Sequence, residues 1–360
     1  MKILHIHTTL QGGGIEAMIC GLANEMSRTN DVTICTIFKP KSTDVFAKKI
    51  ESQVQCISLN KTKQGFSLTE IFKILVLLSR NKYDVVHIHG FFYYYFLSVL
   101  FFHKRIKFFY TIHSDAYMEC SHWDKKTLWL KKLCFRKGWV RAVTISPDSQ
   151  LSFKELYNCK SKLIYNGVAT PSVDVKSVLT QFRINNTTKV FFHAGRISKP
   201  KNQLVLCKVF RRLIDDGYDV ALVIAGGCQD MSIYKSITPY FSERIHYEGE
   251  KSNVLDYMAD ADAMCLPSLW EGLPITLLEA FSVGCIPVCA PVGGIKNVVV
   301  DGVNGLLSAS SSEDDYYNAM KRYLELDSMQ IEALRKGALK SFAKFDIKNI
   351  SKEYLDYYSE

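Results

Sequence analysis

Two glutamates eight positions apart, Glu271 and Glu279, bracket Gly272-Leu273-Pro274 and an apolar run. Ahead of them Ala263 to Leu266 reads as a buried strand. Pro274 suits the first turn of a helix, where its missing N–H costs nothing. Glu271 then lies on the loop before the helix, and Glu279 about one and a half turns inside it. The N–H groups of Gly272, Leu273 and the first turn point out of that helix end, the arrangement that binds anions. Glu279 lies among Leu277, Leu278, Ala280 and Phe281, an apolar setting in which a carboxylate needs a partner.

Other groups capable of chemistry follow predicted strands. Gln11-Gly12-Gly13-Gly14-Ile15-Glu16-Ala17 opens a helix after the first strand, so backbone can approach a ligand closely. Its spacing also fits a dinucleotide fingerprint. The second strand, however, ends in Phe38-Lys39-Pro40-Lys41 instead of an acidic residue, which disfavours NAD and leaves an NADP-dependent oxidoreductase as an alternative. His113 ends another strand and faces a binding crevice, whereas His5, His7, His87 and His89 alternate within strands and read as packing histidines. Gly195-Arg196 and Lys201 follow the first strand of the second half. Arginine offers a planar fork of donors and lysine a point charge, both suited to phosphate oxygens. Gly226, Gly249 and Asn253 mark further turns beside later strands.

These residues need rigid elements to position them. Apolar runs at 3–7, 32–38, 54–59, 84–89, 108–113, 143–146 and 163–165 read as strands, with helical patterns at 15–28 and 68–80. After a break at Asn166-Gly167-Val168 through Pro171 and Ser172, a second series runs through 189–193, 220–225, 245–248, 263–266, 287–290 and 305–307. Such alternation argues for α/β units with parallel sheets. The run from Gly90 to Phe102 is too short to cross a membrane and reads as a buried crossover helix or a membrane-facing one.

With Glu271 and Glu279 in an E-x7-E arrangement, the chain resembles the retaining glycosyltransferases of family 4. Arg196 and Lys201 match that family's G-R-x4-K segment, and the glycine loop and His113 fall in its order. The resemblance implies the GT-B architecture, two facing Rossmann-like domains with a cleft between them. It implies an acceptor domain at 1–170, a donor domain at 171–345 and a last helix near 346–360 packing back on the first domain. His113, Glu271, Arg196 and Lys201 would be catalytic. Gly13, Gly14, Gly195, Gly249, Asn253, Gly272, Leu273, Pro274 and Glu279 would complete donor binding, Glu279 through the ribose. Pro291-Val292-Gly293-Gly294 looks like a family loop closing the same pocket. Glu16 is a candidate acceptor contact. The expected donor is a UDP-sugar, needing no metal or other cofactor, and the acceptor a glycan or lipid-linked saccharide in bacterial surface polysaccharide assembly. A sugar-nucleotide epimerase of the same architecture is the other alternative.

Composition suits an ordinary soluble protein, at 48% apolar and 22% charged residues. Eleven cysteines without metal spacing fit reduced thiols in the cytoplasm. The net charge of +9 is uneven: residues 1–170 carry 24 Lys and Arg against 12 Asp and Glu. A basic first half is expected to touch an anionic membrane at its inner face. The basic residues are dispersed and no recognition motif accompanies them, so nucleic acid is not an expected partner.

Overall fold

Strands buried on both faces read as continuous apolar runs, and those runs form two parallel sheets here. The structure is a computed structural model and describes all residues except 43, 64, 120–124 and 172–176. Ser172, the end of the expected linker, lies outside the described residues. The chain divides into two compact units, Met1–Ala169 with Asp346–Glu360, and Thr170–Phe345.

In the first unit the strands are β1 (Lys2–His7), β2 (Asp31–Phe38), β3 (Gln55–Lys61), β4 (Val85–Ile88), β5 (Lys107–Ile112), β6 (Val140–Thr144) and β7 (Lys162–Leu163). They pair in the order β3-β2-β1-β4-β5-β6-β7. Helices α1 (Gly14–Met26), α2 (Leu68–Arg80), α3 (Phe96–Phe102), α4 (Leu128–Arg136) and α5 (Pro147–Tyr157) connect them. The sixth strand starts earlier than the apolar pattern suggests and stops at Thr144. Ser146 leaves the sheet to cap α5, accepting from the Ser149 N–H at 3.1 Å while Ser149 Oγ accepts from the Ser146 N–H. The run 90–102 does not form a single helix. Phe91 takes a left-handed conformation, a short turn covers Phe92–Tyr94, and α3 follows. Its inner side buries Phe92, Tyr95 and Val99, while Leu97, Leu100 and Phe101 remain exposed.

The second unit contains β8 (Lys189–Ala194), β9 (Val220–Ala225), β10 (Ile245–Tyr247), β11 (Ala263–Leu266), β12 (Ile286–Cys289) and β13 (Leu306–Leu307). Their order is β10-β9-β8-β11-β12-β13. The helices are α6 (Gln203–Asp215), α7 (Met231–Ile237), α8 (Val254–Asp260), α9 (Ile275–Ser282), α10 (Ile295–Val298), α11 (Glu313–Leu324) and α12 (Ser328–Phe342). Core tyrosines bring their hydroxyls to backbone acceptors: Tyr316 donates to Val288 O at 2.7 Å and Tyr323 to Asp262 O at 2.6 Å.

The terminal helix, α13 (Ile347–Ser359), packs on α1 within the first unit. Ile347, Ile350, Ser351, Tyr354 and Tyr358 make its buried stripe. Gly167 permits the approach, since a Cβ there would stand 2.8 Å from Ile347 Cδ1. Each sheet reverses its strand order once, between β1 and β4 and between β8 and β11. Ligands of open α/β sheets bind outside the carboxyl ends of the strands at such reversals.

Candidate active site

In the second unit the reversal brings the loop after β8 beside the loop after β11. Lys201 Nζ lies 2.6 Å from Glu271 Oε1, and Ser268 Oγ donates to the same oxygen at 2.8 Å. The two charged side chains are 21% and 11% exposed, so water screens their attraction only partly. Arg196 is exposed, and among the described residues no carboxylate pairs with it. Its backbone is fixed from beneath. Gln203 donates from Nε2 to Arg196 O at 2.9 Å and to His193 Nε2 at 3.2 Å. His193 must therefore carry its proton on Nδ1, which donates to Cys265 O at 2.8 Å and ties β8 to β11. Burial holds that imidazole neutral, pushing its pKa down to about 4.

Two close backbone approaches require glycine. Gly226 has φ +148, and a Cβ would lie 2.2 Å from Gly195 O; its N–H donates to Gly249 O at 2.7 Å. Gly293 has φ +50, and a Cβ there would lie 1.9 Å from Glu271 O. The neighbouring Gly294 N–H donates to Gly272 O at 2.6 Å, so the loop after β12 seats directly on the glutamate loop. Pro274 stands one residue ahead of α9 and not in its first turn, because its ψ of 128° is extended. Among the described residues no side chain caps this helix start, and the buried Thr276 Oγ1 within its first turn takes no hydrogen bond. Leu273 is buried and Glu279 half-buried in the second turn. Asn253 immediately precedes α8 without capping it through its side chain.

The first unit groups Gly13, Gly14, Glu16 and His113 near its own reversal. None of Gly12, Gly13 and Gly14 takes a left-handed φ, so what the loop gains is absent side chains and not an unusual turn. Gly13 is extended with φ 170, and Glu16 folds back over it to within 3.6 Å of His7 Nε2. Glu119 accepts from the backbone N–H groups of His113 and Ser114, and Asp115 caps its own turn through Tyr117 N and Met118 N.

The histidines read as separate packing residues prove to be connected. Neighbouring β1 and β4 place His5 opposite His87, and the two-residue period puts His7 and His89 on the same face. His5 Nδ1 and His89 Nε2 are 3.1 Å apart, as are His89 Nδ1 and His113 Nε2. His87 bonds Tyr358 Oη at 2.5 Å and Thr111 Oγ1 at 2.7 Å. Burial keeps these rings neutral, lowering His5 to about 4, His113 to about 3, and His87 and His89 well below the ordinary value. Among the described residues His5 Nε2 is buried without a partner. Orphaned buried N–H groups are rarer than orphaned acceptors, so this atom is the lone pair and His5 Nδ1–H donates. His89 Nδ1–H then donates to His113 Nε2, and His113 keeps its proton on Nδ1. Reading the sequence missed this chain, along with His193, Gln203, Ser268 and Thr276. The paired His-x-His strands were its available signal.

Two family models match the chain: "Glycosyltransferase Family 4" over residues 12–171 and "Glycosyl transferases group 1" over residues 176–340. An Escherichia coli relative, UDP-Gal:alpha-D-GlcNAc-diphosphoundecaprenol alpha-1,3-galactosyltransferase, is 26% identical over 74% of this chain and 72% of its own. The Staphylococcus aureus capsular polysaccharide biosynthesis glycosyltransferase CapH is 26% identical over 81% and 82%. Among solved structures, Anabaena HepE in complex with UDP and glucose superposes with a TM-score of 0.83 at 19% identity, covering 100% of both chains. The lipopolysaccharide glycosyltransferase WaaG gives 0.76 at 14% identity, covering 99% of each.

Proposed function

The chain belongs to glycosyltransferase family 4 and has the GT-B fold, and on that premise we propose the reaction its residues perform. It is a hexosyltransferase that moves a hexose or N-acetylhexosamine from a UDP-sugar to a lipid-linked acceptor in bacterial surface polysaccharide assembly. The observation that carries this reading is the Lys201–Glu271–Ser268 cluster beside the uncapped start of α9. It puts cations and backbone N–H groups where a diphosphate gains negative charge.

The acceptor hydroxyl oxygen bonds to the anomeric carbon while the bond from that carbon to the β-phosphate oxygen breaks. Both events occur on one face, so configuration is retained, and the hydroxyl proton ends on the departing phosphate. Arg196, Lys201 and the N–H groups of Gly272, Leu273 and the α9 start stabilise the leaving charge. Glu271 holds Lys201 through Oε1 and has Oε2 for a sugar hydroxyl. Glu279 takes the ribose hydroxyls, with Gly249 and Asn253 bordering the base. His113 offers Nδ1–H to the sugar without adding charge. Transfer proceeds without a divalent cation in this reading, so a chelator should leave the rate unchanged.

A membrane contact fits the first unit. Its α3 packs between α2 and α4, and the three helices expose Leu68, Phe72, Leu100, Phe101 and Trp129 near Lys104 and Arg105. No described helix is long and apolar enough to cross a membrane. Sedimentation with anionic vesicles at low salt tests this contact, and failure to sediment removes it.

The deciding experiment supplies UDP-galactose, UDP-N-acetylglucosamine or UDP-N-acetylgalactosamine with a lipid-linked saccharide and reads the new anomeric linkage by NMR. An α-linkage from an α-donor, lost in Glu271→Ala, supports the reading. An epimerised UDP-sugar formed without an acceptor and without net release of UDP would overturn it.

A further inference from the structure

Behind the half-buried His113, the core of the first unit carries a polar side chain that lies out of a substrate's reach. His89 is 1% exposed and stands just past β4, with its Nδ1 3.1 Å from His113 Nε2. We propose that His89 is a positioning residue for transfer: it holds the His113 ring with the lone pair turned inward and the N–H turned to the sugar. The inference rests on the transfer reaction above, in which His113 offers Nδ1–H.

His89 is a fixed donor for two reasons. Its backbone is tied to β1 at both polar groups: the N–H donates to Ile6 O at 3.0 Å, and the carbonyl accepts from His7 Nδ1 at 2.7 Å. Its proton is also fixed in place. Neutral imidazoles linked nitrogen to nitrogen can be protonated in either of two senses, and the sense at one end sets the other. The series His5, His89, His113 ends at His5 Nε2, which among the described residues is buried without a partner. The sheet register sets His5 between Ile34 on β2 and His87 on β4. Ile34 has no side-chain atom to accept an N–H, and His87 is bonded on both nitrogens, to Tyr358 Oη and Thr111 Oγ1. With protons pointing outward, the blind end keeps only a lone pair. Pointing inward, they would strand a buried N–H, the costlier orphan. The whole series therefore donates toward His113.

The direction matters to the sugar. A hydroxyl gripped through its oxygen by Nδ1–H keeps its own proton to donate elsewhere, whereas a lone pair at Nδ1 would take that proton up. Burial and the neighbouring His7 both disfavour charge on the His113 ring, and Glu119 accepts from the backbone N–H of His113. The ring is thus a neutral donor whose orientation depends on its inner partner. Without His89, the imidazole has nothing to stop it turning over and exchanging its N–H edge for a carbon.

The first test uses the unaltered protein without donor. Proton–nitrogen NMR correlations across the rings of isotope-labelled histidine report which nitrogen is protonated. Nδ1–H on His5, His89 and His113 is expected, the reverse of the preference of histidine in water. Nε2–H on His89 or His113 overturns the proposal, and this result decides alone where a variant does not fold. The second test is a double-mutant cycle in the transfer assay. His89→Leu should lower kcat about fivefold, the worth of one hydrogen bond, with UDP affinity unchanged. His89→Asn, whose amide can donate from the same place, should recover most of that loss. On a His113→Ala background His89→Leu should cost nothing further, because it acts through the ring that is gone. The full loss on that background, or none in the single variant, overturns the proposal. A wild type with the expected protonation that transfers nothing refutes the reaction and not the ordered protons. A wild type that transfers with His113 protonated on Nε2 refutes the positioning role alone.

Discussion

The two units solve the same topological problem with opposite chemistry. At the β8–β11 reversal the second unit gathers charge: Lys201 on Glu271, an unpaired Arg196 among the described residues, and an uncapped helix start. At the β1–β4 reversal the first unit gathers neutral imidazoles linked ring to ring. Fixed cations suit a leaving group whose charge grows during reaction. Neutral donors suit hydroxyl-bearing sugars, which need direction more than charge. The shared parallel sheet supplies only the place, and the side chains decide what happens there.

The most severe test of this contrast is Lys201→Ala, which removes a cation and strands Glu271. A loss of a hundredfold or more in kcat is expected, roughly 3 kcal/mol of transition-state stabilisation. Steady-state rates within threefold of wild type would break the assignment of charge to the second unit.

Acid should distinguish the units next. His5 and His193 are lowered by burial to about 4 and His113 to about 3, against an ordinary 6.5. Between those values the unfolded chain binds protons that the folded chain refuses. Stability is therefore full above pH 6.5, falls as pH drops toward 4 and levels off below the folded values. His5 alone contributes on the order of 3 kcal/mol to that loss. His5, His87, His89 and His113 are in the first unit and His193 in the second. Hydrogen exchange should show the first unit losing protection at higher pH, and simultaneous loss would contradict the contrast.

A smaller effect is expected from His113→Gln, about tenfold in kcat, the worth of one hydrogen bond near 1.4 kcal/mol. The loss should persist across pH 6 to 8 because the ring is neutral throughout; a pH-dependent defect would point to charged imidazole. Smallest is Tyr358→Phe, which strips His87 of a buried partner and should cost about 1 kcal/mol in thermal unfolding with little change in rate. A large kinetic loss instead would tie α13 to catalysis.

Much of the strand pattern was legible because parallel strands covered on both faces are written as uninterrupted apolar runs. Glu271, Arg196 and Lys201 were legible too, since charged residues just after such runs fall at strand ends. Ser268 and Gln203 were not. Polar residues of their kind usually face solvent, and only the packed loops give them Glu271 and His193 as partners. The break in the 90–102 run was likewise hidden, because a left-handed Phe91 has no signature in residue type.

By itself the sequence determined which residues form strands, which loops are rich in glycine and where cations follow strands. These depend on local periodicity and backbone preference, which neighbours in the chain specify. Only the tertiary structure decided that β1 lies against β4 and β8 against β11. Strand order arises from long-range packing, and no local pattern encodes it. That order joined His5 and His89, two of the four alternating histidines, into one chain reaching His113, and it brought Lys201 across 70 residues to Glu271. It likewise made the His87 partner a tyrosine 271 residues away on α13.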